Sequence, residues 1–189
     1  MIEVEIRGRL TEEERKKLTA HLEEHGELLQ SQDRQMILLR GYEGYSEDPI
    51  KREVDVRLRD TNGSCEIMVK RKTADHNVAR SELSLGLKCS NLEEAKETIK
   101  SLGFSSGLWM HRKKNVYSYN GIEWSVVEVP QGLSYFEAEK EIDDPSITGQ
   151  VHEELVQEAE KLGLSVLDPE GMKELIEELD KKVNKEITW

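Results

Sequence analysis

Residues 2–9, Ile2-Glu3-Val4-Glu5-Ile6-Arg7-Gly8-Arg9, alternate between apolar and charged positions. In an extended strand Ile2, Val4 and Ile6 share one face, while Glu3, Glu5, Arg7 and Arg9 share the other. The charged side chains then stand in a row roughly 7 Å apart, two residues of strand rise. Carboxylates so placed can hold a divalent cation, and guanidiniums beside them can hold phosphate. A strand face bathed in water shows the same alternation, so one strand does not choose between the two readings.

The pattern recurs. Strand 53–59 sets Val54, Val56 and Leu58 against Asp55, Arg57 and Arg59, and strand 64–72 sets Ile67 and Val69 against Glu66, Met68, Lys70 and Lys72. Strand 79–85 sets Leu83 and Leu85 against Arg80, Glu82 and Ser84. Strand 134–141 sets Phe136 and Ala138 against Tyr135, Glu137, Glu139 and Glu141, and residues 108–117 place Arg112 and Lys114 on one face. An open sheet would leave these charges in water. Antiparallel strands with few helices tend instead to close, because closure removes exposed edges. With helices outside, the charged faces would point inward, an unstable lining unless pairing, water or a ligand compensates it. The expected fold is α+β: a closed eight-stranded antiparallel β-barrel with helices packed outside.

The remaining elements follow from local signals. Thr11 and Glu14 form a capping box opening a helix that stops at Gly26. Residues 34–40 read as a strand and 41–50 as an exposed loop, and Asn62-Gly63 marks a hairpin. A polar break at 73–78 precedes the strand at 79–87. A helix spans Asn91 to Leu102, strands 108–119 and 122–129 join at Asn120-Gly121, and helices at about 150–162 and 169–184 close the chain. Residues 1–165 read as the barrel domain, with 166–189 a helical extension packed on it. The last helices could serve a homodimer or simply cover the barrel. Loop 41–50 with Tyr42 and Tyr45, and loop 73–78 with His76, lie where a lid would be, or are only solvated.

Charge bounds the partners. The 189-residue chain carries a net charge of −12, with 35% charged and 5% aromatic residues. Residues 1–50 sum to −5, residues 51–114 to +5 and residues 115–189 to −12. An acidic protein with a basic middle is a poor ligand for duplex nucleic acid and suits an internal anion site. No leader-like segment and no run of about 18 apolar residues stands out, so a soluble, cytoplasmic protein without a membrane partner is expected. Two cysteines, Cys65 and Cys89, make no disulfide framework.

Glu3, Glu5, Glu82, Glu137 and Glu139 suit Mg²⁺ or Mn²⁺, which take oxygen ligands. Arg57, Arg59, Lys70, Lys72, Arg80, Arg112 and Lys114 would neutralise a polyphosphate. Metal, cationic clamp and phosphate are the parts of phosphoryl transfer. His21 and His25, at i and i+4, lie on a polar helix face. No glycine-rich phosphate loop and no Ser/His/Asp or Cys/His set appears.

These residues resemble the CYTH superfamily, the triphosphate tunnel metalloenzymes. Glu3-Val4-Glu5-Ile6-Arg7 is similar to its Glu-x-Glu-x-Lys signature. Arg57-Leu58-Arg59, Met68-Val69-Lys70, Arg80-Ser81-Glu82, Arg112-Lys113-Lys114 with Tyr117, and Tyr135-Phe136-Glu137-Ala138-Glu139 follow in the family's order. The resemblance implies a tunnel for a small-molecule triphosphate, with Glu3, Glu5, Glu137 and Glu139 on a divalent metal. Arg57, Arg59, Lys70, Arg80, Arg112 and Lys114 would grip the phosphates. It implies a metal-dependent triphosphatase acting on inorganic, nucleoside or thiamine triphosphate, with Glu3, Glu5 and Arg7 as its catalytic residues. A class IV adenylate cyclase, making cyclic AMP and pyrophosphate from ATP, and a non-catalytic module binding polyphosphate, a nucleotide or an RNA 5′-triphosphate end are the alternatives. Three positions depart from the family pattern. Arg7 replaces the signature lysine and is a poor base. Ser84 replaces a frequent second glutamate. The late acidic position falls on Val127, or on Glu128 after a one-residue shift.

Overall fold

Alternation along the strands decides the architecture, and the helices cover what it leaves apolar. The structure, a computed structural model, describes residues 2–49, 51–72, 79–89 and 91–189. Its main elements in chain order are Ile2–Leu10 (β1), Glu12–His25 (α1), Glu27–Leu39 (β2), Val54–Thr61 (β3), Ser64–Lys72 (β4), Ala79–Gly86 (β5) and Leu92–Ser101 (α2). Then come Ser106–Tyr119 (β6), Ile122–Glu128 (β7), Ser134–Ile142 (β8), Thr148–Lys161 (α3), Pro169–Lys182 (α4) and Lys185–Thr188 (β9). The expected loop 73–78, with His76, lies outside the described residues.

Eight strands close in the order β2-β3-β4-β5-β1-β8-β7-β6, with β6 returning to β2. Every pairing is antiparallel. This is the expected α+β ring with helices around it. Register sets what faces inward, since a slip of one residue would turn each side chain to the opposite face. Glu5 stands opposite Glu139 and Arg7 opposite Glu137 across β1–β8. Glu123 pairs with the same Glu139 across β7–β8, and Lys70 faces Glu82 across β4–β5.

Most of the apolar outer face is buried by helices, whereas Leu83 and Leu85, expected on the apolar face of β5, remain exposed. Val4, Ile6, Trp124, Phe136 and Ala138 pack with Leu18 and Leu22 of α1 and with Val151, Leu155 and Ala159 of α3. Leu92, Ala95 and Ile99 of α2 cover Ile37, Leu39 and Leu58. The capping box of Thr11 and Glu14 forms as expected. Gly8 sits in β1 because a Cβ there would collide with the Ser165 carbonyl and the Phe136 ring. Its absence lets the segment after α3 lie along β1, where the Leu167 N–H donates to the Arg7 carbonyl at 2.8 Å.

Two expectations are corrected. The strand placed at 34–40 begins at Glu27. Its first half is mostly exposed and its apolar residues, Leu28 and Leu29, are adjacent and not alternating, so apolar periodicity gave no sign of it, yet it pairs with the long β6 through a bulge between Leu28 and Gln30. The helix placed at 169–184 ends at Lys182, and Lys185–Thr188 forms an unforeseen strand on the β6 edge. Helix α4 also packs where no sequence signal placed it. Leu175, Leu179 and Val183 bury against Val127, Val129 and Tyr135, so the helix sits over the lumen at that end. Among the described residues no helix is long and apolar enough to cross a membrane.

Candidate active site

The lumen encloses a cavity of about 270 Å³ with acidic and basic walls. Strand β1 supplies Glu3, Glu5 and Arg7 at every second position, and β8 supplies Glu137 and Glu139 opposite them. Glu3, Glu5 and Glu139 each offer a carboxylate oxygen within 4.8 Å of the others. Burial, then the charges of Glu5, Glu137 and Glu3, push the Glu139 carboxyl up to about 9. Burial also raises Glu3, although Lys70 opposes it. Three crowded carboxylates with too little positive charge fit a hard divalent cation, which prefers oxygen ligands.

Cations pair with two members of this cluster, Glu3 and Glu5, and with the inward Glu82 and Glu137. Arg7 pairs with Glu5 and, at 3.0 Å, with Glu137. Burial disfavours the charge on Arg7, but Glu5 and Glu137 more than offset it and hold the guanidinium well above its ordinary pKa. Burial would raise Glu137 too, yet Arg7 and Lys114 outweigh it and hold the carboxyl at about 2. Lys70 bridges Glu3 at 2.6 Å and Glu82 at 2.9 Å, and Arg59 reaches Glu66 at 2.6 Å. The Nε–H of Arg57 is buried and has no hydrogen-bond partner among the described residues, a donor left for an anion's oxygen.

All of Glu3, Glu5, Arg7, Arg57, Arg59, Lys70, Glu82, Arg112, Lys114, Glu137 and Glu139 line this cavity. Lys72 and Arg80 line a chamber that adjoins it. Arg112 is tied to the C-terminal segment, its two Nη groups donating to the Asn184 side-chain oxygen at 3.2 Å. Glu82 and Glu137 are inward but stand outside the three-carboxylate cluster.

The comparisons agree with this geometry. The family profile of the CYTH domain matches residues 1–170. The chain belongs to the CYTH family. No curated protein sequence matches it. Among solved structures it is similar to the PH1819 protein of Pyrococcus horikoshii OT3, at 18% identity and TM-score 0.71, covering 93% of this chain and 99% of that one. It is similar to a putative adenylate cyclase from Vibrio parahaemolyticus, at 14% identity and TM-score 0.65, covering 87% and 90%. A putative adenylyl cyclase from Hippeastrum, described as having a dominant triphosphatase activity, matches at 14% identity and TM-score 0.55, covering 92% and 95%. At these identities the likeness shows the CYTH fold alone.

Within the CYTH tunnel the register decides between Val127 and Glu128. Val127 stands opposite Tyr135, faces inward and is 1% exposed beneath α4. Glu128 points outward, reaching Arg15 of α1 at 3.4 Å. A valine occupies this place because Leu175, Leu179 and Val183 cover it. Val127→Glu is accordingly expected to cost about 1–3 kcal/mol, the burial and crowding of a carboxylate under α4 being partly offset by Lys114, which stands opposite it. Urea unfolding measures this, and a loss under about 1 kcal/mol would show that α4 does not seal the position.

Three inward residues, Glu123, Arg34 and Arg52, escaped the sequence reading, which sets Asp55 on the charged face without a role. Glu123 lines the cavity opposite Glu139, four residues before Val127 on the same face. Arg34 reaches it from β2, and its Nε–H donates to the Thr61 hydroxyl at 3.0 Å. Arg52 and Asp55 are nearly fully buried, and the Asp55 carboxylate accepts from Arg52 at 3.2 Å, Arg57 at 2.7 Å and Arg80 at 2.9 Å. Strict alternation counted back from Val127 would have found Glu123. Nothing in the sequence pairs Asp55 with three arginines. Tyr42 and Tyr45 are structural. The Tyr42 hydroxyl donates to the Val54 carbonyl and accepts from the Val56 N–H, and the Tyr45 ring lies under Arg52.

Proposed function

We propose that the chain is a metal-dependent phosphohydrolase acting on a triphosphate. The observation that carries this reading is the Glu3, Glu5 and Glu139 cluster beside Arg57, Arg59, Lys70 and Lys114 in one closed lumen. A cation site next to a row of phosphate-binding cations is the equipment that phosphoryl transfer needs, since positioning and charge neutralisation supply most of its catalysis. Magnesium or manganese held by the three carboxylates would supply Lewis acidity toward the phosphate oxygens. The arginines would orient the chain by paired donors and stabilise charge that develops on those oxygens. The triphosphatase activity of the Hippeastrum relative supports the same reaction class.

Arg7 does not take up a proton in this scheme. Its pairs with Glu5 and Glu137 keep it charged, so it binds and orients. That observation also favours a second reading, a module that holds triphosphate without turning it over.

The test is release of phosphate and pyrophosphate from inorganic triphosphate and ATP, with Mg²⁺ or Mn²⁺ and with EDTA. Metal-dependent phosphate release is expected. Pyrophosphate appearing with cyclic AMP would replace the hydrolase by a cyclase. Binding without turnover would leave the second reading standing.

A further inference from the structure

Most cations of the lumen already stand beside an opposite charge. Arg7, Arg52, Arg57, Arg59, Lys70 and Lys114 each meet a carboxylate oxygen at 3.5 Å or less. Among the described residues, Arg34 and Arg112 line the lumen without such a partner. Arg112 is nonetheless held firmly, and the groups that hold it are neutral. Both its Nη groups donate to Asn184 Oδ1 at 3.2 Å, and Nη1 also donates to the His111 carbonyl at 2.9 Å. Burial raises the neighbouring Tyr135 hydroxyl, so that group adds no charge either.

An acid stands one group further back. Asn184 Nδ2 donates to the Asp180 carboxylate at 2.6 Å, which turns the amide oxygen toward the arginine. The backbone here is pinned, since the N–H groups of Val183 and Asn184 both donate to the Leu179 carbonyl at 2.8 Å. A carboxylate in the place of this amide would hold Arg112 as well, but it would cancel the charge that an anion needs. We propose that Asn184 is a positioning residue for the triphosphate: it orients the Arg112 guanidinium and keeps Asp180 from neutralising it, so that the full charge of Arg112 falls to a phosphate oxygen. The assignment rests on the triphosphate reading above and adds the end of α4 to that site. Arg34 follows the same rule from β2, oriented by the neutral Thr61 hydroxyl at 3.0 Å.

The experiment exchanges the two groups. Asn184→Asp/Asp180→Asn keeps the net charge and an amide–carboxylate hydrogen bond, but sets the carboxylate directly on Arg112. Calorimetry with inorganic triphosphate and Mg²⁺ is expected to show binding weakened about tenfold or more, with no fall in melting temperature. Asn184→Ala, which leaves Arg112 charged but unheld, is expected to weaken binding about threefold or more. A merely structural Asn184 would leave the affinity of the folded exchange variant unchanged, and that result overturns the proposal while the triphosphate reading stands. Should the exchange variant fail to fold, Asn184→Ala decides, an unchanged affinity again overturning the proposal. A parent protein that binds no triphosphate overturns both.

Discussion

Removing both carboxylates at the head of β1, in the Glu3→Ala/Glu5→Ala variant, is expected to abolish metal-dependent turnover. The loss should reach roughly 10³-fold or more, the scale of removing preorganised electrostatic stabilisation from a transition state. Two of the three clustered carboxylates disappear, and Glu139 alone would be a poor cation site. The fold should survive the change. Lys70 keeps Glu82 at 2.9 Å, and Arg7 keeps Glu137 at 3.0 Å, so neither buried cation is left without a partner. Glu139 is relieved of two of the charges that crowd it, so its carboxyl should move back toward the ordinary range. Phosphate release with Mn²⁺, read beside a circular dichroism spectrum, tests this. A folded variant retaining more than about a tenth of the parent rate would exclude these residues as the metal site.

Asp55→Asn is expected to have the largest effect on stability. Asp55 is 2% exposed and is the shared acceptor of Arg52, Arg57 and Arg80. Burial would raise its carboxyl, but the three guanidiniums outweigh burial and hold it far below the usual carboxylate range. Asparagine keeps the shape and removes the charge, leaving three cations converging on a neutral amide. Breaking a buried pair in this way costs about 3–5 kcal/mol. The pH dependence follows from the sign of the shift. A carboxylate whose folded pKa is depressed stabilises the protein above its unfolded value, about 3.9. That stability is lost as pH falls below it toward the folded value. The parent should therefore lose stability steeply on acidification and the variant less so. Urea unfolding at pH 7 and pH 3 separates the two curves. A variant within about 1 kcal/mol of the parent at pH 7 would show that the arginines do not depend on Asp55.

The ring was legible because β1 alternates throughout and β3, β4 and β8 alternate over much of their length, so the charged rows name their own face. Closure followed from the number of such strands and the scarcity of helices to cover two sides. Strand β7 was harder. Ile-Glu-Trp-Ser-Val-Val-Glu places two valines in succession, so the strand alone does not say which of them faces inward. Only its pairing with β8 settles Val127, and with it Glu123. Arg34 was hidden because its companions on the inner face of β2 are Met36 and Leu38, which read as core. Those two, with Met68, Leu108 and Met110, show that the lumen is partly apolar, where alternation suggested charge throughout. The terminal strand, of four residues, is too short for any period to show.

That strand has a consequence for handling the protein. Strand β6 runs for 14 residues and β7 for only 7, so the edge of β6 from Ser106 to Trp109 has no partner in the ring on that side. Lys185–Thr188 covers it. A chain clipped before Lys185 would present bare amides and carbonyls there, a ready template for a strand from another molecule. Proteolysis near the C-terminus would then show itself first as self-association, while the distant carboxylate cluster stayed intact.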